Sequence, residues 1–384
     1  MKLCFVVESG TDVRLVNGLA ERAELTVLAR RIRGGVEISR EPGSSARVSV
    51  GAASRAAFAA GVFRALLRRR GRCDQVLVQG YGPAALAANA ACRLTGMPVA
   101  MLVCSPVEAY YRCRRDHAEP GKPFRPLELR GLEVMARLNA RLGGGYIVLS
   151  EYLGDVVRAH GARQPIHVVP VYGVDTGIFR PAAEPRRDLR LQLGLPGDGA
   201  LLFFSSRVTP EKDADTLLDA LARLRTAGRP VRLLHRSGGY RTFTDLARAR
   251  GLADAVIATD AVHPERELPL SYQASDLCVQ ASRAEGLGFS PLEALACGVP
   301  VVATAVGGLR ETIVDGETGW SCPPGDADAL ARAIADALDH PEEARRRAAA
   351  GRAMVQRRFE RRAVFDRLFA LWAQPGQRGP DARR

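Results

Sequence analysis

Two glutamates eight positions apart, Glu285 and Glu293, bracket the run EGLGFSPLE. Carboxylates at that spacing, with two glycines, a serine and a proline between them, could start a helix or cradle a ligand. Ser290-Pro291-Leu292-Glu293 has the form of a capping box, with serine at the N-cap, proline at the first helical position and glutamate at the third. On that reading Glu293 is a helix-capping carboxylate. Capping does not explain EGLGF. A glycine-rich loop leading from the strand LCVQAS into a helix N-terminus offers backbone N–H groups and the positive end of a helix dipole, which suits phosphate. The two roles are compatible.

A second loop carries cations. After ALLFFSS come Arg207, Thr209, Pro210 and Lys212, and Lys212 is one of only three lysines in the chain. Alone, these would read as two solvated surface cations. A third loop, Thr304-Ala305-Val306-Gly307-Gly308, follows PVVAT. Three such loops on one sheet edge read as a pocket for a nucleoside diphosphate, because ligands of open α/β sheets bind beyond the strand C-termini. The Asp213-Ala214-Asp215 triplet reads as a solvated helix start, not a metal site.

The elements that must position these loops alternate along the chain. KLCFVVE, ELTVLAR, ARVSV, QVLVQG, PVAMLVC, YIVLS and IHVVPV have the apolar, β-branched character of buried parallel strands. Amphipathic stretches such as Arg55–Arg70 and Pro126–Leu142 lie between them. The pattern pauses over Gly173–Pro196, then resumes with ALLFFSS, VRLLHR, AVIAT, LCVQAS and PVVAT. Arg352–Ala373 reads as a terminal helical segment and Gln374–Arg384 as a disordered tail. At 384 residues the chain suits two α/β domains with a linker near residue 180.

Hydrophobic content of 47% supplies two cores, and the mean hydropathy is −0.07. No apolar run approaches the roughly 20 residues of a membrane span. MKLCFVVESG turns polar too soon for a signal peptide and reads as a first strand. The eight cysteines show no C-x-x-C, which argues against a zinc site or a disulfide framework and for a reducing cytoplasm. The formal charge is +13, and residues 1–180 hold 26 Lys and Arg against 15 Asp and Glu, whereas residues 181–384 hold 29 against 27. The basic half suggests an anionic partner such as a membrane surface, a phosphorylated acceptor or nucleic acid. An Arg- and Ala-rich composition from a GC-rich genome would explain it equally. No basic motif interleaved with aromatics appears, so nucleic acid is not expected.

The run from Ser206 to Lys212, followed by EGLGFSPLEALACGVPVVATAVGGLRETIVDGETG, resembles the retaining glycosyltransferases of family 4. The family's E-x7-E element matches Glu285 and Glu293, and its R-x4-K element matches Arg207 and Lys212. VYGVDTGIFRP, Val171–Pro181, is similar to the family's interdomain stretch, with Tyr172 where asparagine is usual. The likeness is detailed over about residues 145–340 and architectural before that. It implies the GT-B fold, two Rossmann-like α/β domains facing each other across a cleft. Residues 1–175 would bind the acceptor and 176–355 the nucleotide sugar, with a helix over 356–374 crossing back and 375–384 disordered.

The resemblance also implies roles. Arg207 and Lys212 would hold a departing diphosphate, Glu285 would accept from sugar hydroxyls, and Glu293 would bind the ribose. Ser206 and the stretch Gly286, Leu287, Gly288, Phe289 and Ser290 would line the donor. The reaction would move a sugar from a UDP- or GDP-sugar, with retention, by front-face attack, without a metal or other cofactor. The acceptor would be a glycan, a lipid-linked sugar or a small molecule. Acceptor-side candidates are Gly10, Cys104, Ser105, Glu108 and His117. Three usual features differ here: Glu8-Ser9-Gly10-Thr11 replaces a glycine pair, Cys104-Ser105-Pro106 stands where a histidine is common, and VRLLHR ends in Ser237-Gly238-Gly239 where G-x-G is usual. A cytoplasmic protein is expected, peripheral on the inner face of an anionic membrane if the basic half is functional. A non-catalytic sugar binder of the same fold is the alternative. A glycoside hydrolase would not need Arg207 and Lys212 beside its carboxylates.

Overall fold

The computed structural model describes residues 1–32, 35–36, 46–116 and 123–373. His117 and the tail at 375–384 lie outside the described residues. The strands form where short runs of Val, Leu, Ile and Phe can be buried on both faces, as parallel sheets covered by helices require. In chain order they are β1 (Lys2–Val7), β2 (Glu24–Ala29), β3 (Arg31–Ile32), β4 (Gly35–Val36), β5 (Arg47–Val50), β6 (Gln75–Gln79), β7 (Val99–Val103), β8 (Tyr146–Val148) and β9 (Ile166–Val168). There follow β10 (Ala200–Phe204), β11 (Val231–Arg236), β12 (Val256–Thr259), β13 (Leu277–Gln280), β14 (Val301–Thr304) and β15 (Trp320–Cys322).

The first sheet is parallel, in the order β5-β2-β1-β6-β7-β8-β9. The second is also parallel, in the order β12-β11-β10-β13-β14-β15. Both are doubly wound in the Rossmann manner. The winding reverses between β1 and β6 in one and between β10 and β13 in the other, and such reversals open a crevice beyond the strand C-termini. By contact, the described residues of Met1–Glu108, Arg125–Gly173 and 361 onward form one unit; those of Ala109–Phe124 and Val174–Glu360 form the second.

Four local readings change. β15 and the antiparallel β3-β4 pair were not expected, and their lengths of two or three residues give no periodic signal. The expected terminal segment is two helices, Pro341–Arg358 and Arg361–Ala373. The break has a cause: the Phe359 carbonyl accepts from Val174 N at 2.7 Å, and Glu360 pairs with Val174 as a β-bridge. Within Gly173–Pro196 lies a helix, Arg186–Gln192, fastened by the buried Arg190 to Asp276 and to the carbonyls of Ala274 and Gly199. Asp213 is not solvated. It is 3% exposed, caps the helix Ala214–Thr226, and faces Arg283 Nε at 2.7 Å. Among the described residues no helix is long and apolar enough to cross a membrane.

Candidate active site

In the second unit the two strands flanking the reversal, β10 and β13, deliver the sequence-predicted residues. β10 ends at Phe204, and Ser205, Ser206 and Arg207 continue beyond it to a tight turn, Pro210–Lys212. β13 ends at Gln280 and runs through Ser282 and Glu285 into the helix Phe289–Ala296. The loops are tied together: Arg283 N donates to the Glu211 carbonyl at 2.9 Å. The loop after β14 joins them through Gly308 N, which donates to the Glu285 carbonyl at 3.2 Å.

Lys212 and Glu285 are brought together. Lys212 Nζ pairs with Glu285 Oε2, and both side chains are largely enclosed. Ser282 Oγ donates to the same oxygen at 3.3 Å, while Glu285 Oε1 accepts from Gly286 N and from Tyr110 OH, each at 3.2 Å. The Tyr110 ring also faces Lys212 Nζ at 5.9 Å. Glu285 is thus a carboxylate held by donors at both oxygens, with one fixed cation beside it. Arg207 is exposed, and no ion pair involves it among the described residues. A cation left in solvent beside a fixed one suits an arriving polyanion.

The capping box does not form as expected. The helix Phe289–Ala296 starts after Gly288, whose φ of 90° lies in the left-handed region that glycine tolerates. Ser290 is therefore the second helical residue, and its Oγ lies 2.8 Å from Ser205 Oγ. Glu293 is buried at 3% exposure, and its Oε2 accepts from Tyr272 OH at 3.0 Å. Burial, reinforced by the Glu293 carboxylate, pushes the Tyr272 phenol well above its ordinary range, so it stays protonated and donates. Gly286, Leu287 and Gly288 are buried, and Phe289 is partly exposed at the helix start. Ser206, at 8% exposure, commits its hydroxyl to Gln280 Oε1 at 2.9 Å.

The acceptor-side candidates lie in the first unit at the carboxyl ends of β1 and β7. Gly10 is exposed, and its carbonyl accepts from Gln79 Nε2 at 3.4 Å. Cys104 Sγ accepts from Tyr172 OH at 3.2 Å, and burial pushes the thiol up to about 12, so it is no nucleophile at neutral pH. Ser105 is half-buried beside it. Glu108 is buried and faces His160 Nε2 at 3.1 Å. Sequence reading missed His160, whose ring also stands edge-on to Tyr81 with centroids 5.5 Å apart. Nothing in the sequence links a histidine at a helix C-terminus to a glutamate 52 positions earlier. Glu8, Gln280 and Tyr272 were missed for the same reason: each has a partner remote in the chain, Ala84, Ser206 and Ser205 respectively.

Two family models match, "Glycosyl transferases group 1" over residues 185–354 and "Glycosyltransferase Family 4" over residues 13–177. A D-inositol 3-phosphate glycosyltransferase of Xylanimonas cellulosilytica is 38% identical over 241 residues, 59% of this chain and 55% of that one. A GDP-mannose-dependent alpha-(1-6)-phosphatidylinositol monomannoside mannosyltransferase of Mycolicibacterium smegmatis is 37% identical over 195 residues, 48% of this chain and 50% of that one. The chain thus spans about half the length of the curated relatives it matches. Among solved structures, a sucrose-phosphate synthase of Thermosynechococcus elongatus superposes with a TM-score of 0.81 at 22% identity, covering 97% of this chain and 98% of that one. The fold is GT-B, the two family models follow one another along most of the sequence, and the chain belongs to glycosyltransferase family 4.

Proposed function

We propose that this chain transfers a sugar from a UDP- or GDP-sugar to an acceptor hydroxyl with retention of anomeric configuration. The observation that carries this is the enclosed Lys212–Glu285 pair at the β10/β13 reversal, beside the N-terminus of the helix Phe289–Ala296. The diphosphate would lie against that helix end, with Arg207 and Lys212 neutralising the charge that grows as it leaves. Glu285, freed from Lys212, would accept from sugar hydroxyls, and Glu293 from the ribose. The second unit would bind the donor and the first the acceptor. The relatives' names, with an inositol phosphate and a phosphatidylinositol mannoside, support an acceptor bearing a phosphate, either free or lipid-linked.

Thermal melting with UDP and GDP, followed by hydrolysis of UDP-glucose and GDP-mannose, tests the donor. One nucleotide should raise Tm, and its sugar should be hydrolysed slowly without acceptor. Binding without turnover of any donor would favour the non-catalytic reading.

A cytoplasmic location at an anionic membrane face belongs to the same proposal. Arg68, Arg70 and Arg72 are exposed beyond the helix Arg55–Leu67, and no ion pair involves them among the described residues. Vesicles of phosphatidylglycerol should bind the protein at low salt and release it as the screening length falls to about 8–10 Å. Reversing Arg68, Arg69 and Arg70 to glutamate should abolish that binding while nucleotide affinity stays unchanged. Indifference to such vesicles, with efficient transfer to a soluble acceptor, would remove the membrane from the proposal.

A further inference from the structure

Two adjacent serines at the end of β10 begin two separate buried chains of hydrogen bonds, and each chain ends on a different glutamate of the E-x7-E element. The two serines follow the last strand residue, Phe204, and reach different partners. Ser205 Oγ lies 2.8 Å from both Tyr272 OH and Ser290 Oγ, and Tyr272 OH donates to Glu293 Oε2 at 3.0 Å. Ser206 Oγ donates to Gln280 Oε1 at 2.9 Å, Gln280 Nε2 to Ser282 Oγ at 2.7 Å, and Ser282 Oγ to Glu285 Oε2 at 3.3 Å. Gln280 is 1% exposed and Tyr272 fully buried.

We infer that Tyr272 and Gln280 are positioning residues with separate duties: the Ser205–Tyr272 chain orients Glu293 for nucleotide binding, and the Ser206–Gln280–Ser282 chain orients Glu285 for transfer. This rests on the roles proposed above for the two glutamates. The physical reason begins with cost. A glutamine at the buried end of a central strand, or a tyrosine hydroxyl with no exposure, is unfavourable unless its polar atoms are bonded. Along the Ser206 chain each bond runs toward the carboxylate, and in the other chain Tyr272 donates to Glu293. The amide of Gln280 fixes the sequence, since its oxygen only accepts and its nitrogen only donates. Ser282 must therefore accept from Gln280, and its one proton is left for Glu285. Tyr272 likewise has one proton, and it is committed to Glu293, which leaves Ser205 and Ser290 to orient around the tyrosine oxygen. Both chains start on the segment that continues into Arg207, so the cation-bearing loop and the two carboxylates are set by one pair of residues.

The test is a comparison of two variant series in the full chain. Tyr272→Phe and Ser205→Ala form the first; Gln280→Met and Ser282→Ala form the second. Glu293→Gln and Glu285→Gln are the controls. UDP or GDP affinity is measured by calorimetry, and kcat by donor hydrolysis, with Tm recorded for each. The first series should weaken nucleotide binding about tenfold and leave kcat within about twofold. The second should lower kcat about tenfold and leave nucleotide affinity within about twofold. Gln280→Glu, which keeps the acceptor toward Ser206 but removes the donor to Ser282, should behave as Gln280→Met does. If both series move both quantities alike, or move only Tm, the division of duties is wrong. If the two controls themselves alter neither affinity nor kcat, the roles of the glutamates fail first, and the inference falls with them.

Discussion

The two sheets reverse their winding in the same way, yet their crevices are filled differently. Beyond β10 and β13 the helix Phe289–Ala296 begins at a glycine, which brings no capping side chain, and the nearby carboxylates are engaged by hydroxyls, an amide and Lys212. Beyond β1 and β6 the helix Pro83–Thr95 meets a carboxylate of its own chain. Glu8 is 7% exposed, and its Oε2 accepts from Ala84 N at 3.0 Å, with Arg55 Nε 3.4 Å from Oε1. Topology gives both units an anion-attracting helix end. In the first unit the Glu8 carboxylate bonds that end, whereas in the second the N-cap residue is a glycine, which has no side chain to cap with. The fold alone therefore does not distinguish the two helix ends; the residues around each of them do.

In the second unit Arg186, Arg190, Arg225, Arg229, Arg250 and Arg347 are each paired with an aspartate or glutamate. Arg207, exposed at the crevice, has no such partner among the described residues. The largest effect should therefore come from the crevice cations. Lys212→Ala and Arg207→Ala should each lower kcat by about 100- to 1,000-fold, the usual loss when one group that stabilises developing charge is removed. Tm should hardly move. Initial rates of donor hydrolysis check the first part and calorimetry the second; full activity in a folded variant would return the site to two surface cations.

A second expectation separates the glutamates. Glu293→Ala leaves the buried Tyr272 hydroxyl without its acceptor and should destabilise the protein by about 1–3 kcal/mol while weakening nucleotide binding. The mechanism is a lost buried hydrogen bond, not the lost helix cap that the sequence suggested. Glu285→Ala should depress transfer strongly with little change in Tm, because Lys212 keeps some contact with solvent. Equal destabilisation by both, with unchanged affinity, would make both carboxylates structural.

The third tests the plugged crevice. A Cβ on Gly82 would stand 2.0 Å from Glu8 Oε2, so Gly82→Ala should cost about 1–3 kcal/mol. Glu8→Ala alone removes a bond to a helix-start N–H and should cost about 0.5–2 kcal/mol. Because the two residues touch, the double variant should be more stable than the sum of the single losses implies. Strict additivity in urea denaturation would show that Glu8 does not fill the helix end.

How much of this was legible in sequence follows from distance along the chain. The central strands showed as apolar runs because parallel strands are buried on both faces, and the R-x4-K and E-x7-E spacings survive because each sits within one loop. The capping box was misread because Ser290-Pro291-Leu292-Glu293 fits the pattern locally, while Gly288 takes a left-handed turn that starts the helix earlier. Asp213 looked solvated because its partner, Arg283, lies 70 residues on. The chains through Gln280 and Tyr272 were invisible because β10 meets β13 only in the folded sheet, and neither residue type signals chemistry alone.

The smallest expected effect is a difference in acid sensitivity built into the second unit's core. His235 is fully buried near the C-terminal end of β11, its ring packed against both Phe204 and Phe243 with centroids 5.5 and 4.4 Å away. Its Nδ1 donates to the Phe204 carbonyl at 2.9 Å. Burial lowers its pKa from the ordinary 6.5 to about 4, outweighing the opposing effect of that hydrogen bond. The folded state therefore resists a proton that the unfolded chain accepts near pH 6.5. Stability from this residue is complete above pH 6.5 and is lost as pH falls from there toward about 4, below which both states are protonated. Between pH 7.5 and 5.5 the loss should be about 1 kcal/mol. His235→Phe keeps the stack and removes the titrating group, so its unfolding free energy should fall less over that interval. Urea denaturation of both proteins at the two pH values measures the difference. Parallel curves would show that His235 takes up its proton in the folded core, and that this core is less closed to solvent than its packing implies.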